Sequence, residues 1–408
     1  MSSSTVDGRT GWTMVGVGFL SMFVVFGVAY SFGVFFDSIA RTFHAGTGAT
    51  SLVFGLTAFA YFVLGGVAGP AADRFGPRIV LVVGAAAMGA GLVATAFAPS
   101  LPVAYLTYGV GIGVGVACGY VPMLGVVGGW FDRRRSTALG VAVAGIGVGT
   151  LAVSPLAAAL IDHLGWRHTE LVLGVASAAL LALCAAVVRR PPVAGRRAGF
   201  WPERHLLTAD FWWLYGSGML GSMALSVALV YLAPYAEHHG MSKVAAAGLV
   251  GAVGASSTVG RLGLGAVANR FGHLRVYRAC FVVMTASFLL WWAGRSAVVL
   301  LAFAAVFGIG YGGFIALSPV VTASLFGVER LAGVLGLLYS GAGLGALVAP
   351  PAAGALIEAS GYAAAIFMAM ALAAGSLALL VPIGGRAARA ARAARAARAE
   401  ATTTGARG

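Results

Sequence analysis

Charge is what this chain has least of, and that scarcity sets its class. Only 9% of the 408 residues are Asp, Glu, Lys or Arg, against about 25% in soluble domains, too few to cover a globular surface with polar groups. Cysteine is almost missing as well. Cys118, Cys184 and Cys280 all fall inside apolar segments, which excludes a disulfide framework and offers no metal-ligand spacing. No Ser-His-Asp set, metal cluster or phosphate-binding loop can be picked out, so neither an enzyme nor a cofactor is expected. The opening residues, MSSSTVDGRTGW, lack the basic n-region of a cleavable signal, and the first apolar run is long enough to span and stay.

What is abundant is apolar. Hydrophobic residues make up 60% of the chain and the mean hydropathy is +0.94, the composition of a polytopic membrane protein. Runs of spanning length fall at 12–36, 50–72, 79–98, 102–128, 137–160, 169–188, 210–236, 244–268, 276–294, 297–325, 331–357 and 363–383.

The net charge of +14 is distributed as membrane topology requires, not as nucleic-acid binding would. Alternate loops carry Arg74 and Arg78; Arg133, Arg134 and Arg135; Arg189, Arg190, Arg196, Arg197 and Arg204; Arg270, Arg275 and Arg278; and Arg330. The intervening loops hold Arg41, Arg167, Lys243 and Arg295. Positive residues stay inside, so the even-numbered loops and both termini are expected in the cytoplasm, with the chain in the plasma (inner) membrane.

The sequence also repeats. GPAADRFGPR (69–78) closes the second run and GAVANRFGHLR (265–275) closes the eighth. The spacing predicts an all-α membrane protein of twelve transmembrane helices in two pseudo-symmetric six-helix halves. The halves are expected at 1–188 and 210–383, joined by a Pro- and Arg-rich linker at 189–209 and followed by a basic tail at 384–408. One chain is expected to be the functional unit. A parallel repeat of six spans is the layout of major facilitator transporters, and 69–78 resembles that superfamily's loop motif, Gly-x-x-x-Asp-Arg-x-Gly-x-Arg. The resemblance implies a conformational gate built on Gly69, Asp73, Arg74, Gly76 and Arg78, with Asn269 and Arg270 in the second copy. Asp73 is expected to latch one state by accepting hydrogen bonds from a neighbouring helix N-terminus and an arginine.

Glycine is the other excess, at 61 residues, about twice the usual share. Gly111, Gly115 and Gly119, Gly145 and Gly149, and Gly341 and Gly345 recur at helix-packing spacing; sliding and static contacts are both open readings. Pro122, Pro155, Pro234, Pro319 and the Pro350–Pro351 pair are expected to interrupt spans 4, 5, 7, 10 and 11.

One residue conflicts with all this apolarity. Arg261 lies well inside the eighth run, while the other basic residues, and all twelve acidic ones, fall at loops, helix ends or tails. A guanidinium does not lose its charge and is expensive to bury unpaired. Snorkelling would have to cover two helical turns, roughly 12 Å. Pairing with carbonyls freed at a proline kink is a second reading. The third, favoured because intramembrane charges mark substrate pathways, is a water-filled cavity where an anionic substrate completes the pair. Arginine's fork matches a carboxylate, and one deep cation suits a monocarboxylate. Tyr120 and Ser257 are the expected orienting groups, with Tyr30, Tyr311 and Tyr339 as further candidates.

On these residues the chain resembles a bacterial member of the monocarboxylate transporter (monocarboxylate porter) family of the major facilitator superfamily. GWFDRRRSTALGVAVAGIGVG (129–149) is similar to that family's fifth-span signature, YSFGVFF (30–36) to the end of its first span, and 231–265 to its seventh and eighth. The resemblance implies that Arg261 binds the substrate carboxylate. Animal members pair that arginine with an aspartate one turn earlier, where this chain has Ser257, and carry a first-span lysine near Tyr30; those residues are implicated in proton coupling. Oxalate exchangers carry an eleventh-span lysine that 336–350 lacks.

The expected function is therefore secondary transport of a small, lactate- or pyruvate-like monocarboxylate by rocker-switch alternating access, with the proton as a candidate partner in symport. A facilitator that moves another organic anion or a drug is the rival reading. A non-transporting sensor or accessory subunit is the rival of another class. RAARAARAARAAR (386–398) suits retention inside and contact with anionic lipid.

Overall fold

The computed structural model describes residues 8–131, 134–192, 208–326 and 331–383. Its regular elements are all helical. They are α1 (Arg9–Tyr30), α2 (Phe32–Phe43), α3 (Thr47–Phe75), α4 (Pro77–Ala96) and α5 (Leu101–Ala104), which continues through a π-helical turn (Tyr105–Val110) into α6 (Gly111–Gly129). Then follow α7 (Arg135–Leu164), α8 (Trp166–Val187), α9 (Ala209–His238), α10 (Lys243–Phe271), α11 (His273–Ala293), α12 (Ala297–Phe326), α13 (Leu331–Ser360) and α14 (Tyr362–Leu380). Helix is the form an apolar run must take in hydrocarbon, where every backbone donor needs an internal partner. Among the described residues twelve stretches are long and apolar enough to cross a membrane, and the chain is a multi-pass integral membrane protein. The first span bends where α1 gives way to α2 at Ser31, whose hydroxyl donates to the Val28 carbonyl at 2.8 Å. Most of the expected linker (193–207) and the tail (384–408) lie outside the described residues.

The two halves copy each other at a constant displacement of 196 positions. Within the first, α1 packs on α7, α3 on α6 and α4 on α8; within the second, α9 packs on α13, α10 on α12 and α11 on α14. The turns repeat too. Gly76 and Gly272 have φ of +97° and +94°, and Gly165 and Gly361 have φ of +78° and +79°. Each ends a helix in a conformation that only glycine adopts readily.

The glycines at four-residue spacing serve packing within a half. A methyl group built at Gly145 or Gly149 would stand 2.2 Å from the carbonyl oxygens of Phe19 and Phe23 on α1, and one at Gly345 would stand 2.6 Å from the Met219 carbonyl on α9. The prolines correct an expectation: α6, α7, α9, α12 and α13 continue through Pro122, Pro155, Pro234, Pro319 and Pro350–Pro351. Each proline instead leaves the carbonyl four residues earlier without its helical donor.

Four of those freed carbonyls, counting Ala346 at 3.2 Å from a methyl group built on Gly55, face a glycine of the opposite half. A methyl group on Gly55 would meet the Leu347 oxygen at 2.9 Å, one on Gly251 the Leu151 oxygen at 3.2 Å, and one on Gly33 the Val230 oxygen at 3.1 Å. The Gly55–Leu347 and Gly251–Leu151 contacts are copies of each other at the 196 displacement. So are two polar contacts at the same end of the molecule: Lys243 with Asp162 at 3.3 Å, and the Thr47 amide donating to Glu358. Along α3 and α13 the contact among the described residues runs from Thr47–Glu358 through Gly55–Leu347 to Phe62–Tyr339 and goes no further. Gly66 and Gly336, next in that register, have no heavy atom within 4 Å of a built methyl group. The halves are thus closed at the end bearing Thr47 and Glu358, and α3 and α13 part towards the other.

Candidate functional site

Where α3 and α13 begin to part, a cavity lies between the halves. Tyr30, Phe54, Tyr61 and Phe62 line it from the first half; Ser222, Ser226, Tyr277, Phe314, Ser318 and Tyr339 line it from the second. No lining residue is charged. Aromatic faces with a few hydroxyls make a wall suited to a small organic molecule with an apolar body and one polar end.

Arg261 stands behind that wall, 5% exposed. One guanidinium nitrogen donates to the Val143 carbonyl on α7 at 3.1 Å, and the other donates to the Tyr311 hydroxyl at 3.2 Å. The Tyr311 hydroxyl donates in turn to that of Tyr30 at 3.3 Å, so a polar chain runs from Arg261 to the cavity wall. The guanidinium carbon also sits 5.4 Å from the centre of the Tyr311 ring, within cation–π range. The Arg261 Nε has no partner, and among the described residues no carboxylate pairs with the guanidinium. The geometry mixes two of the expected placements: one main-chain oxygen is engaged, though it belongs to the opposite half and is not one freed by a proline.

The candidates separate into three groups. Tyr30 and Tyr339 line the cavity, and Tyr311 links Tyr30 to Arg261. Tyr120 packs edge-on against Phe26, with ring centres 5.2 Å apart, and does not line the cavity. Ser257 is buried in the α10–α12 contact and donates to the Gly254 carbonyl of its own helix at 2.8 Å.

Several lining residues escaped the sequence reading. Tyr61 is the first-half counterpart of Ser257 at the 196 displacement, a signal that comparing the two halves would have supplied. Ser222 and Ser226 share a face of α9 by their four-residue spacing, and Ser222 donates across to the Ala342 carbonyl at 2.9 Å. Tyr277 and Ser318 carried no pattern distinguishing them from packing residues.

The loop motif lies at the parted end. Gly76 makes the left-handed turn into α4, and its bare Cα leaves room for the Arg190 guanidinium, 2.9 Å from a built methyl group. Gly69 sits against Val121 of α6. Asp73, Arg74 and Arg78 are exposed, and Asp73 makes no hydrogen bond or ion pair with another described residue. The latch expected of Asp73 is not formed in this state. Arg74 lies over Phe75 at 5.2 Å, and Arg270 over Phe271 at 5.6 Å, the same contact in both copies. The Asn269 side chain lies outside the described residues.

Comparison with known proteins agrees with this architecture. The model of the Major Facilitator Superfamily matches residues 18–273 and 256–405. Monocarboxylate transporter 3 of Rattus norvegicus is 32% identical over 376 residues, which cover 86% of this chain and 75% of that protein. The MFS-type transporter pynF of Aspergillus niger is 29% identical, over 85% of this chain and 82% of that one. These relatives are animal and fungal, and they do not carry the bacterial membership expected above. Among solved structures, a bacterial homologue of the human lysosomal transporter Spinster, inward-facing and occupied, superposes with a TM-score of 0.71 at 17% identity, over 91% of this chain and 96% of that one. Twelve spans, a repeated half and a cavity at the seam are the layout of a secondary transporter, not an enzyme, and the chain belongs to the major facilitator superfamily.

Proposed function

We propose that this transporter carries a small organic monocarboxylate, of the lactate or pyruvate class, by rocker-switch alternating access, with Arg261 as the carboxylate anchor. The observation that carries the reading is a buried guanidinium with, among the described residues, an unpartnered Nε and no carboxylate beside it, connected through Tyr311 and Tyr30 to the cavity wall. A permanent charge held in this way has a donor left over for a mobile anion to engage during the cycle. Arg261 reaches Val143 of the other half, so substrate that draws the guanidinium towards the cavity also loosens a bond between the halves. Binding is thereby coupled to movement. Similarity to a monocarboxylate transporter supports the substrate class. Tyr30, Tyr339 and Tyr311 orient the acid, while Tyr120 and Ser257 act as packing behind them.

The motif residues Gly69, Asp73, Arg74, Gly76 and Arg78, with Asn269 and Arg270, belong to the gate at the parted end, and Asp73 latches that end in the alternate state. By the positive-inside rule the parted end and both termini face the cytoplasm of a plasma (inner) membrane. The halves are assigned to 1–188 and 210–383, with a linker at 189–209 and a tail at 384–408, and one chain is the working unit.

A second reading has its own support: the aromatic, uncharged lining and similarity to a fungal MFS-type transporter fit export or exchange of a larger organic anion or drug. Proteoliposomes holding purified protein separate the two. Labelled lactate or pyruvate should enter in counterflow and be displaced by short monocarboxylates, and Arg261→Gln should abolish entry while the protein remains folded. Counterflow unchanged in that variant, or displacement only by bulky aromatic compounds, defeats the monocarboxylate reading.

A further inference from the structure

A second buried charge-bearing group lies away from the cavity. Glu170, in the second turn of α8, was expected at a membrane edge, yet it is fully buried, and neither of its carboxyl oxygens has a hydrogen-bond partner among the described residues. Tyr108 is within electrostatic reach of it; that residue is 1% exposed and its hydroxyl is also unpartnered. Tyr108 belongs to the π-helical turn of the fourth span, and such turns recur at functional sites. Its ring packs on Phe32, 5.5 Å away, one residue past the bend at Ser31 in the first span.

The repeat shows that the scaffold does not need a polar pair here. At the 196 displacement Glu170 corresponds to Ile366 and Tyr108 to Ala304, both buried and apolar. An isolated carboxylate without partners in such a place is costly enough that the group takes up a proton instead. The neighbours offer nothing else. Among the described residues of the helices packed on α8, namely α4, α1, α7 and α2, none brings a charged side chain into interaction with Glu170, and the titratable group within electrostatic reach of it is Tyr108. Arg167, three residues earlier on α8, is engaged with the Ala96 and Ala98 carbonyls. A metal ion would need several more oxygens than one carboxyl and one phenol.

We propose that Glu170 with Tyr108 is a proton-binding site of the first half, separate from the substrate cavity and close to the end that is closed in this state. The carboxylate takes a proton from solvent when that end opens, no other bond changing, and holds it as the neutral acid while the end is shut. Through Phe32 the site touches the bend of the first span, next to Tyr30 of the cavity wall, which gives the proton a route to influence closure. The coupling part of this inference rests on the transport reading above; the proton site itself does not.

Two measurements test it separately. Infrared difference spectra of the purified protein in lipid at neutral pH should contain a protonated-carboxyl stretch that Glu170→Gln, a neutral isostere, removes. A spectrum unaltered by the substitution overturns the site. In proteoliposomes, Glu170→Gln should lower pH-gradient-driven accumulation of labelled lactate by about tenfold or more while leaving counterflow within about twofold of wild type. Equal accumulation by the two proteins overturns the coupling. If wild-type protein moves no monocarboxylate at all, the substrate reading fails and the infrared result still decides the proton site.

Discussion

Arg261 of α10 donates to the Val143 carbonyl of α7, so a fixed positive charge in one half is tied to the main chain of the other. The second guanidinium nitrogen holds Tyr311 in its own half. Lysine keeps the charge but lacks the rigid fork that holds the two contacts in fixed geometry. In uptake kinetics Arg261→Lys should raise KM strongly with residual transport. Arg261→Gln should lose about 3 kcal/mol of anion binding, more than a hundredfold. Similar KM values for the lysine variant and wild type would place the substrate elsewhere.

The hydroxyl chain gives a graded expectation. Tyr311→Phe leaves a buried guanidinium nitrogen without its acceptor, which should lower stability by about 1–3 kcal/mol and depress uptake. Tyr30→Phe removes only the terminal acceptor at the cavity wall and should have the smaller effect on stability. Thermal unfolding of the two variants and their double mutant measures the difference.

Glycines of the seam and glycines within a half should behave differently. A methyl group at Gly147 would lie 2.2 Å from the Gly254 carbonyl oxygen across the seam. Gly147→Ala should therefore hold the closed end apart while leaving each half folded. Bifunctional cross-linking of a cysteine pair made by Asp162→Cys and Lys243→Cys should fall sharply on its addition. Gly145→Ala instead drives a methyl group into α1 of the same half and should destabilise the fold by about 1–3 kcal/mol, read as a lower Tm.

The left-handed glycines should pair in their energetics as they do in space. Gly165→Ala and Gly361→Ala force an ordinary residue to φ near +78° and +79°, with open space around the added methyl group. Each should cost about 1–2 kcal/mol of stability, and the two values should agree closely. A large gap between them would mean that the turns are not equivalent.

Much of this was legible in the residues. Twelve long apolar runs leave little freedom in a bilayer, and the copied Arg-Phe-Gly turns exposed the repeat, because Gly76 and Gly272 need the same backbone geometry. Arg261 stood out because a charge within a span has few excuses. Glu170 did not, since a carboxylate one residue inside a predicted boundary reads as interfacial until neighbouring helices are placed around it. Spacing marked Gly145 and Gly149 but could not tell which helix they meet. Nor could it tell that Gly33, Gly55 and Gly251 would instead face the opposite half. Proline was misread for a related reason. Inside a tightly packed bundle it need not break a helix, and its effect falls on the carbonyl one turn earlier.

Those carbonyls determine how the shut end responds to its surroundings. Where Gly55 meets Leu347, Gly251 meets Leu151 and Gly33 meets Val230, peptide dipoles lie against bare Cα atoms, and nothing in them ionises or attracts counterions. Added salt would screen the exposed Lys243–Asp162 pair and leave these contacts as tight as before. A transporter sealed this way keeps its shut end tight across wide swings of salinity, and its response to acidity is left to its carboxyl groups, Glu170 among them.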